Sequence, residues 1–314
     1  MIITTDNLNA LRVQFEARFQ EAYDATEPWW QKLATEIPSS AKSNVYGWIA
    51  QQVKMREWVG PRIALNLKEH DYTLRNKSYE ATIELDRDEV EDDNLGLFTS
   101  VTVPQLAQAA KKHPDQLLKA MIQSNSFVGP TAFDGLALFH DAHLTYDSAG
   151  TTYDNKFALA LTADNFNTVW STMAAYTGED GEPLNVMPNL LIVPPQLKKT
   201  ALEIVKNEMI LKIAQNVAAT ENVAAAAIGN VMQGWAEVLV IPEFANNADR
   251  WYLADVSKVI KPFILQNRKA DQFVTRDSPQ DPKVFDLKKF TYGVENRRNV
   301  GVTLPFLIAT SDPT

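Results

Sequence analysis

Residues Ser78 to Asp86 alternate without interruption. Tyr79, Ala81, Ile83 and Leu85 fall on one face, and Ser78, Glu80, Thr82, Glu84 and Asp86 on the other. A period of two predicts a strand with only one side covered. Ahead of it, Trp48, Met55, Trp58 and Val59 set bulky apolar groups among charged ones. That mixture is too polar for a core and too aromatic to be left in water. A two-stranded ribbon of this kind is marginal alone, and its apolar surface calls for a partner. The expected partner is another copy of the same chain.

Elsewhere the period lengthens. Asp6 to Tyr23 predicts a helix with Asp6 as N-cap, because Leu8, Leu11, Phe15, Phe19 and Ala22 recur at spacings of three and four. Its stripe has two readings, packing on its own domain or lying as an arm under a neighbour. Trp29-Trp30 after Pro28 reads as an irregular linker in need of a partner surface, ended by Pro38-Ser39-Ser40. Asp86 and Glu89 have capping-box spacing for a short acidic helix that Gly96 breaks. A helix begins near Pro104 and runs through Leu106, Ala109 and Ala110. His113-Pro114-Asp115 interrupts it, and a second amphipathic run follows through Leu117, Leu118, Met121 and Ile122 to a turn at Gly129.

The middle of the chain mixes the two periods. Asp164 to Ala175 is helical through Phe166, Val169, Trp170 and Met173. Asn189 to Val193 is a short buried strand stopped by Pro194-Pro195, with a helix after it to Met209. The alanine-rich stretch Val217 to Gly229 is open between helix and loop. Strands are expected at Val238–Ile241, Trp251–Ala254, Pro262–Gln266, Lys289–Gly293 and Val302–Ala309, with a loop at Asp277–Pro282. The succession predicts an α+β protein.

Composition narrows the chemistry. The 314 residues suffice for one large or two modest domains. A net charge of −9 argues against gripping nucleic acid over a broad face. With no cysteine, disulfides, thiolate metal sites and Cys nucleophiles are excluded. No apolar run reaches the length of a membrane span, and Met1 to Asp6 has neither part of a signal peptide, so use in a cytoplasm is expected. His140-Asp141-Ala142-His143 is the most enzyme-like cluster, since two imidazoles and a carboxylate could hold a metal. The other histidines, His70 and His113, lie in unrelated segments, and no third ligand motif stands out. A surface loop after Leu138-Phe139 is the preferred reading. The run Glu89 to Asp93 reads as a helix N-terminus, where the dipole favours acidic residues, rather than a cation site. There is no glycine-rich phosphate loop and no G-x-S-x-G elbow. No catalytic, cofactor or metal residue is assigned, and the chain is read as a non-enzyme.

Several runs in one order carry a family resemblance. They are Ser43-Asn44, Tyr46-Gly47-Trp48, Glu57-Trp58-Val59-Gly60, Arg62, Asn76-Lys77 and Glu91 through Gly96, joined near the other end by Phe290, Gly293, Arg297-Arg298 and Gly301. On these residues the chain resembles the major head subunit of Mu-like tailed phages (the T protein), a branch of the Hong Kong 97-like capsid fold. The middle carries the resemblance only weakly.

The resemblance implies an N-terminal arm at 1–44 and an extended β-ribbon loop at 45–86. It implies a peripheral domain with a long spine helix at 87–130 and 259–314, and an axial domain at 131–258. The implied function is a major capsid protein of a tailed bacteriophage, assembling as hexamers and pentamers into an icosahedral shell around double-stranded DNA. Implied partners are other copies of itself, a separate scaffolding protein, a portal, and DNA held without sequence-specific binding, with no membrane. Assembly is expected in the bacterial host's cytoplasm and residence in the virion capsid.

Candidate inter-subunit residues are Trp48, Arg56, Glu57, Trp58, Val59, Arg62, Lys77, Arg297 and Arg298. Trp58 is the expected anchor, because aromatic residues dominate interface energetics. Leu8, Leu11, Phe15 and Phe19 are the candidates for arm packing. The alternatives are an encapsulin-like compartment for protein cargo and a metal-dependent hydrolase using His140 and His143.

Overall fold

The computed structural model describes residues 5–48, 70–86, 88, 98–124, 132, 134–145, 150–179, 181–213, 225–278 and 281–313. The chain divides into two compact units. One comprises Met1–Val45, Thr73–Ala120 and Leu265–Gly301, and the other Tyr46–Tyr72, Met121–Ile264 and Val302–Thr314.

The first elements run from helix α1 (Thr5–Asp24) and a helical turn α2 (Trp30–Leu33) to strands β1 (Ala34–Pro38), β2 (Ser43–Trp48), β3 (His70–Arg75) and β4 (Lys77–Asp86). Helix α3 (Val103–Gln123) follows one π-helical turn at Phe98–Thr102. The short strands β5 (His143–Leu144), β6 (Thr152–Tyr153) and β7 (Lys156–Phe157) lead to helix α4 (Ala163–Ala174) and strand β8 (Leu190–Val193). Helix α5 (Lys198–Val205) precedes strands β9 (Met209–Ile213), β10 (Ala225–Gly229), β11 (Glu237–Val240), β12 (Trp251–Ala254) and β13 (Phe263–Arg276). Helix α6 (Pro282–Leu287) and strands β14 (Lys289–Val302) and β15 (Ile308–Ser311) complete the chain.

The first unit is built on a four-stranded sheet in the order β1-β13-β14-β4. Strand β4 lies antiparallel to β14 over ten residues, from Lys289↔Asp86 to Arg298↔Lys77. The alternation expected for 78–86 is present, with Leu85 buried, Tyr79, Ala81 and Ile83 half-buried, and Ser78, Glu80, Thr82 and Glu84 exposed. Its covered face meets Phe290, Tyr292 and Val294 of the same chain, and α1 and α3 pack there through Phe15, Phe19, Val103, Leu106, Ala107 and Ala110. Phe15 meets Tyr292 edge-on at 4.8 Å between ring centroids. Each such ring contributes about 1.5–3 kcal/mol by leaving water. Gly293 has a spatial reason to be glycine. A Cβ there would stand 3.2 Å from the Ala81 carbonyl oxygen and 3.3 Å from Thr82 Oγ1.

The second unit carries a five-stranded mixed sheet in the order β11-β8-β12-β15-β7. Strand β8 is buried at all four residues and pairs parallel to β11 and antiparallel to β12. Its core gathers Phe166, Val169 and Met173 of α4, Ala201, Ile204 and Val205 of α5, and Trp251 and Leu253 of β12. Thr162 caps α4 by accepting from the Asn165 N–H at 3.2 Å.

Several expectations are corrected. Helix α1 starts at Thr5, which puts Asp6 in the first turn rather than at the N-cap. Trp30 belongs to a helical turn, is buried, and donates its N–H to Asp115 Oδ1 at 2.8 Å, so the linker finds its surface within its own unit. Helix α3 is continuous through Pro114. Burial of Val103, Leu106, Ala107, Ala110 and Leu118 along it outweighs the hydrogen bond that the proline forfeits. Helix α5 stops at Val205, and Met209 opens a strand paired with Ala225–Gly229. The Val302–Ala309 stretch is not one strand, because Pro305 opens a 3-10 turn before β15. Strand β15, grouped in sequence with the terminal strands of the peripheral domain, pairs with β12 in the second unit's sheet.

Strands β2 and β3 form a two-stranded sheet, whereas the 78–86 strand expected in the ribbon joins the first unit's sheet and turns its apolar face to its own chain. The turn at Gly129 and the acidic helix lie outside the described residues, apart from Asp88, whose N–H reaches Asp86 Oδ1 at 2.9 Å.

Because Pro114 sits in a helix interior without the N–H that would close onto Ala110, Pro114→Ala is expected to stabilise the protein by up to about 3 kcal/mol. A higher midpoint in urea unfolding checks this, and a lower one refutes it.

Candidate assembly surface

Strand periodicity splits the twin arginines. Arg298 lies opposite Lys77 and Arg297 opposite Ser78, so the two side chains leave β14 on opposite faces. Arg298 is 4% exposed at its side chain and pairs with Asp271 of β13, itself 3% exposed. Asp271 also accepts from Asn296 Nδ2 and from the Tyr23 hydroxyl of α1, each at 2.8 Å. Lys111 of α3 stands 4.1 Å over the Tyr23 ring. His113, on the same helix, meets the Tyr79 ring edge-on at 4.3 Å. One buried carboxylate thus ties together α1, β13 and β14, beside two residues of α3.

Two ionisable groups are shifted by this environment. Burial, then the negative charge of Asp271, pushes the Tyr23 hydroxyl far above its usual range. Burial, reinforced by the Arg298 charge, pushes His113 down to about 4.

Of the residues expected at a subunit boundary, Arg298 is spent inside its own subunit. Its charge is not available at the surface, because an unpaired Asp271 would be left buried. Arg297 is half-buried on the opposite face, next to the exposed row of Ser78, Glu80, Thr82 and Glu84. Lys77 is exposed at the start of β4. Trp48 ends β2, within the ribbon. Arg56, Glu57, Trp58, Val59 and Arg62 lie outside the described residues. On the N-terminal helix, Phe15 and Phe19 are buried in their own unit's core with Leu11 packed against it, which decides between the two readings of that stripe for these three residues. Leu8 lies in α1.

The histidine pair is structural. His143 is fully buried, with Nδ1 2.6 Å from Asp134 Oδ2 and Nε2 donating to the Leu138 carbonyl oxygen at 3.2 Å. Its ring stacks on Tyr153 at 5.2 Å. Although burial alone would raise it, the Asp134 carboxyl is held below its usual range by the hydrogen bond and charge of His143 and by the Leu136 N–H. His140 Nδ1 accepts from the Ala142 N–H at 3.0 Å. Both nitrogens of His143 are thus engaged, and its ring offers no free lone pair for a metal. Among the described residues, no group of three or more His, Asp or Glu is placed to hold one.

Next to this pair, fully buried Asn155 donates to the carbonyls of Leu138, Pro305 and Ile308 at 2.9, 3.0 and 3.2 Å. Its Oδ1 accepts from the His140 N–H at 2.8 Å. The HDAH stretch is therefore a clamped loop. Sequence reading missed Asp271 and Asn155. A signal existed for Asp271, which shares its strand face with Phe273 and so points toward the core. None marked Asn155.

Two predictions follow from the first unit. Arg298→Ala is expected to cost about 3–5 kcal/mol of stability by stranding Asp271, whereas Arg297→Ala costs less than about 1 kcal/mol. Equal losses in denaturant unfolding would contradict the division. The second concerns acid. His113 binds its proton less readily folded than unfolded, so its contribution is complete above its ordinary value of 6.5 and is lost as pH falls toward about 4. His113→Gln should flatten the stability profile across that window, and an unchanged slope would show that His113 does not set it.

Comparison with known proteins agrees with this architecture. The family described as Mu-like prophage major head subunit gpT matches residues 8–158, 152–242 and 233–314. The chain is 24% identical over 284 residues to the major capsid protein of Escherichia phage Mu, covering 67% of this chain and 92% of that protein. It is also 24% identical over 299 residues to the Mu-like prophage FluMu major head subunit of Haemophilus influenzae, covering 95% and 71%. Among solved structures, the procapsid of bacteriophage JBD30 superposes with a TM-score of 0.60 at 25% identity, over 99% of this chain and 76% of that one. The SrpI encapsulin of Synechococcus elongatus reaches 0.51 at 8% identity, over 93% and 89%, which is a likeness of fold alone. The match spans nearly the whole length, and the chain belongs to the Mu-like major head subunit family, with the Hong Kong 97-like capsid fold.

Proposed function

We propose that this chain is the repeating tile of a tailed-phage head, closing as hexamers and pentamers into a shell around double-stranded DNA. The observation that carries the reading is the family match over residues 8 to 314, made by a chain whose mixed helix-and-sheet fold is that of head shells. Its mechanism is geometric rather than catalytic. One surface patch meets a different patch on the next copy, and the rotation between them closes the assembly. The finer reading comprises a separate scaffolding protein, a portal, DNA held without sequence-specific contacts, and assembly in the host cytoplasm. A net charge of −9 supports a wall that does not adhere to the packaged duplex.

Within the tile, structural and assembly roles fall to different residues. Asp271, Arg298, Asn155 and His143 hold the subunit together and are closed to neighbours. The extended loop, in the part that precedes β4, supplies the overlap onto the adjacent copy, with Trp58 as its anchor and Arg56, Glu57 and Arg62 setting register around it. Trp48, Val59, Lys77 and Arg297 complete the contact. The central section, 131–258, stands at capsomer centres, and the long helix with β13 and β14 forms the outer part. The likeness to an encapsulin extends to the fold, while the family match favours a DNA-containing head.

Negative-stain electron microscopy tests this on the chain expressed alone and with a co-expressed scaffold. Closed particles, or sheets of six-fold rings, are expected from the wild type. Trp58→Ala and Arg297→Glu should give folded, soluble subunits that do not build them. A small monodisperse oligomer from wild type in both samples overturns the shell reading, and normal shells from Trp58→Ala overturn the anchor assignment.

A further inference from the structure

One groove in the second unit has a chemistry that the tile does not use. It encloses about 690 Å³ and is lined by Thr145, Thr151, Asp154, Ser171, Thr172 and Tyr176, among others. Five of the hydroxyl protons there are already committed. Ser171 and Thr172 donate to the Thr168 carbonyl at 3.0 and 2.8 Å. The Tyr176 hydroxyl donates to the Asp154 carbonyl. Thr145 Oγ1 donates to the Thr151 carbonyl at 2.8 Å, which leaves Thr151 as the donor in the 2.6 Å contact between the two hydroxyls. Hydroxyls that have spent their protons on the backbone present only lone pairs to a ligand.

Two further features carry the same sign. The groove opens at the C-terminal end of α4, where the helix dipole is negative and the last turn has no basic residue. The Asp154 carboxylate accepts from the Lys156 N–H at 2.7 Å, and among the described residues no ion pair joins it to a cation. Burial, with the nearby charge of Asp141 adding to it, holds this carboxyl above its usual range against the opposing pull of the Lys156 N–H and of the charges of His143 and Lys156.

We infer that this groove binds an organic cation, an alkylammonium or guanidinium group, with Asp154 as counterion and the hydroxyl oxygens of Ser171 and Thr172 as acceptors. Two sources share that chemistry, a free polyamine and a Lys or Arg side chain of a neighbouring copy.

Isothermal titration of the unassembled chain with spermidine and with argininamide tests the inference. Saturable one-to-one binding is expected, weakened about tenfold or more by Asp154→Asn, which removes a charge-assisted hydrogen bond. Thr172→Val should weaken it less. Glu243→Gln, at an exposed acid outside the groove lining, should leave it unchanged. Binding should also fade as pH drops and Asp154 takes up its proton, a readout that stands if Asp154→Asn lowers the melting temperature. Assembled shells separate the sources. Spermidine binding that persists there points to a free polyamine, and binding that disappears points to a neighbour's side chain. No saturable binding, equal affinity in Asp154→Asn, or an equal loss in Glu243→Gln would overturn the inference.

Discussion

A carboxylate taken out of water must find positive charge and hydrogen-bond donors, or it costs several kcal/mol. Asp271 meets that demand with Arg298, Asn296 and Tyr23, and the first unit is arranged around the result. The donors come from β14 and from α1, so satisfying one side chain fixes a helix against two strands. Apolar burial around Phe15, Phe19 and Tyr292 supplies most of the attraction. That attraction is not directional, and the buried pair selects one register from the many that would bury the same rings.

The second unit solves a similar problem without charge at its centre. Asn155 is a single amide with two donors and one acceptor oxygen, and it closes four backbone groups from two distant segments. His143 sits beside it with both nitrogens turned to oxygen acceptors. A cluster that reads as chemistry in one dimension is thus a fastening in three. What separates a ligand from a fastening is the presence of a free lone pair, and the His143 ring has none.

Both hubs bear on how a shell is built. A tile that meets several neighbours has to keep its own shape while contacts form and break, and buried polar networks with every strong partner internal are suited to that. The residues left for neighbours are then the ones that the interior does not need. Arg297, proposed to face a neighbour, stands against Arg298, paired inside, as adjacent residues of one type separated by the pleat of a strand.

The sequence by itself determined the elements whose pattern is local. The alternation of 78–86, the stripe of α1, the helical spacing of 164–175 and the proline-stopped strand at 189–193 are each read from a local pattern, and each is present. The family was legible too, from runs near both ends of the chain. Only the tertiary structure decided the rest. Pro114 runs on in a helix because packing outweighs one lost hydrogen bond. Arg298 turns inward because Asp271, 27 residues away in sequence, waits across the strand pair. His143 is a core residue because Asp134 and Leu138 reach both of its nitrogens. In each case the deciding partner is set by chain topology, and a period of two or 3.6 carries no record of which distant residue will arrive opposite.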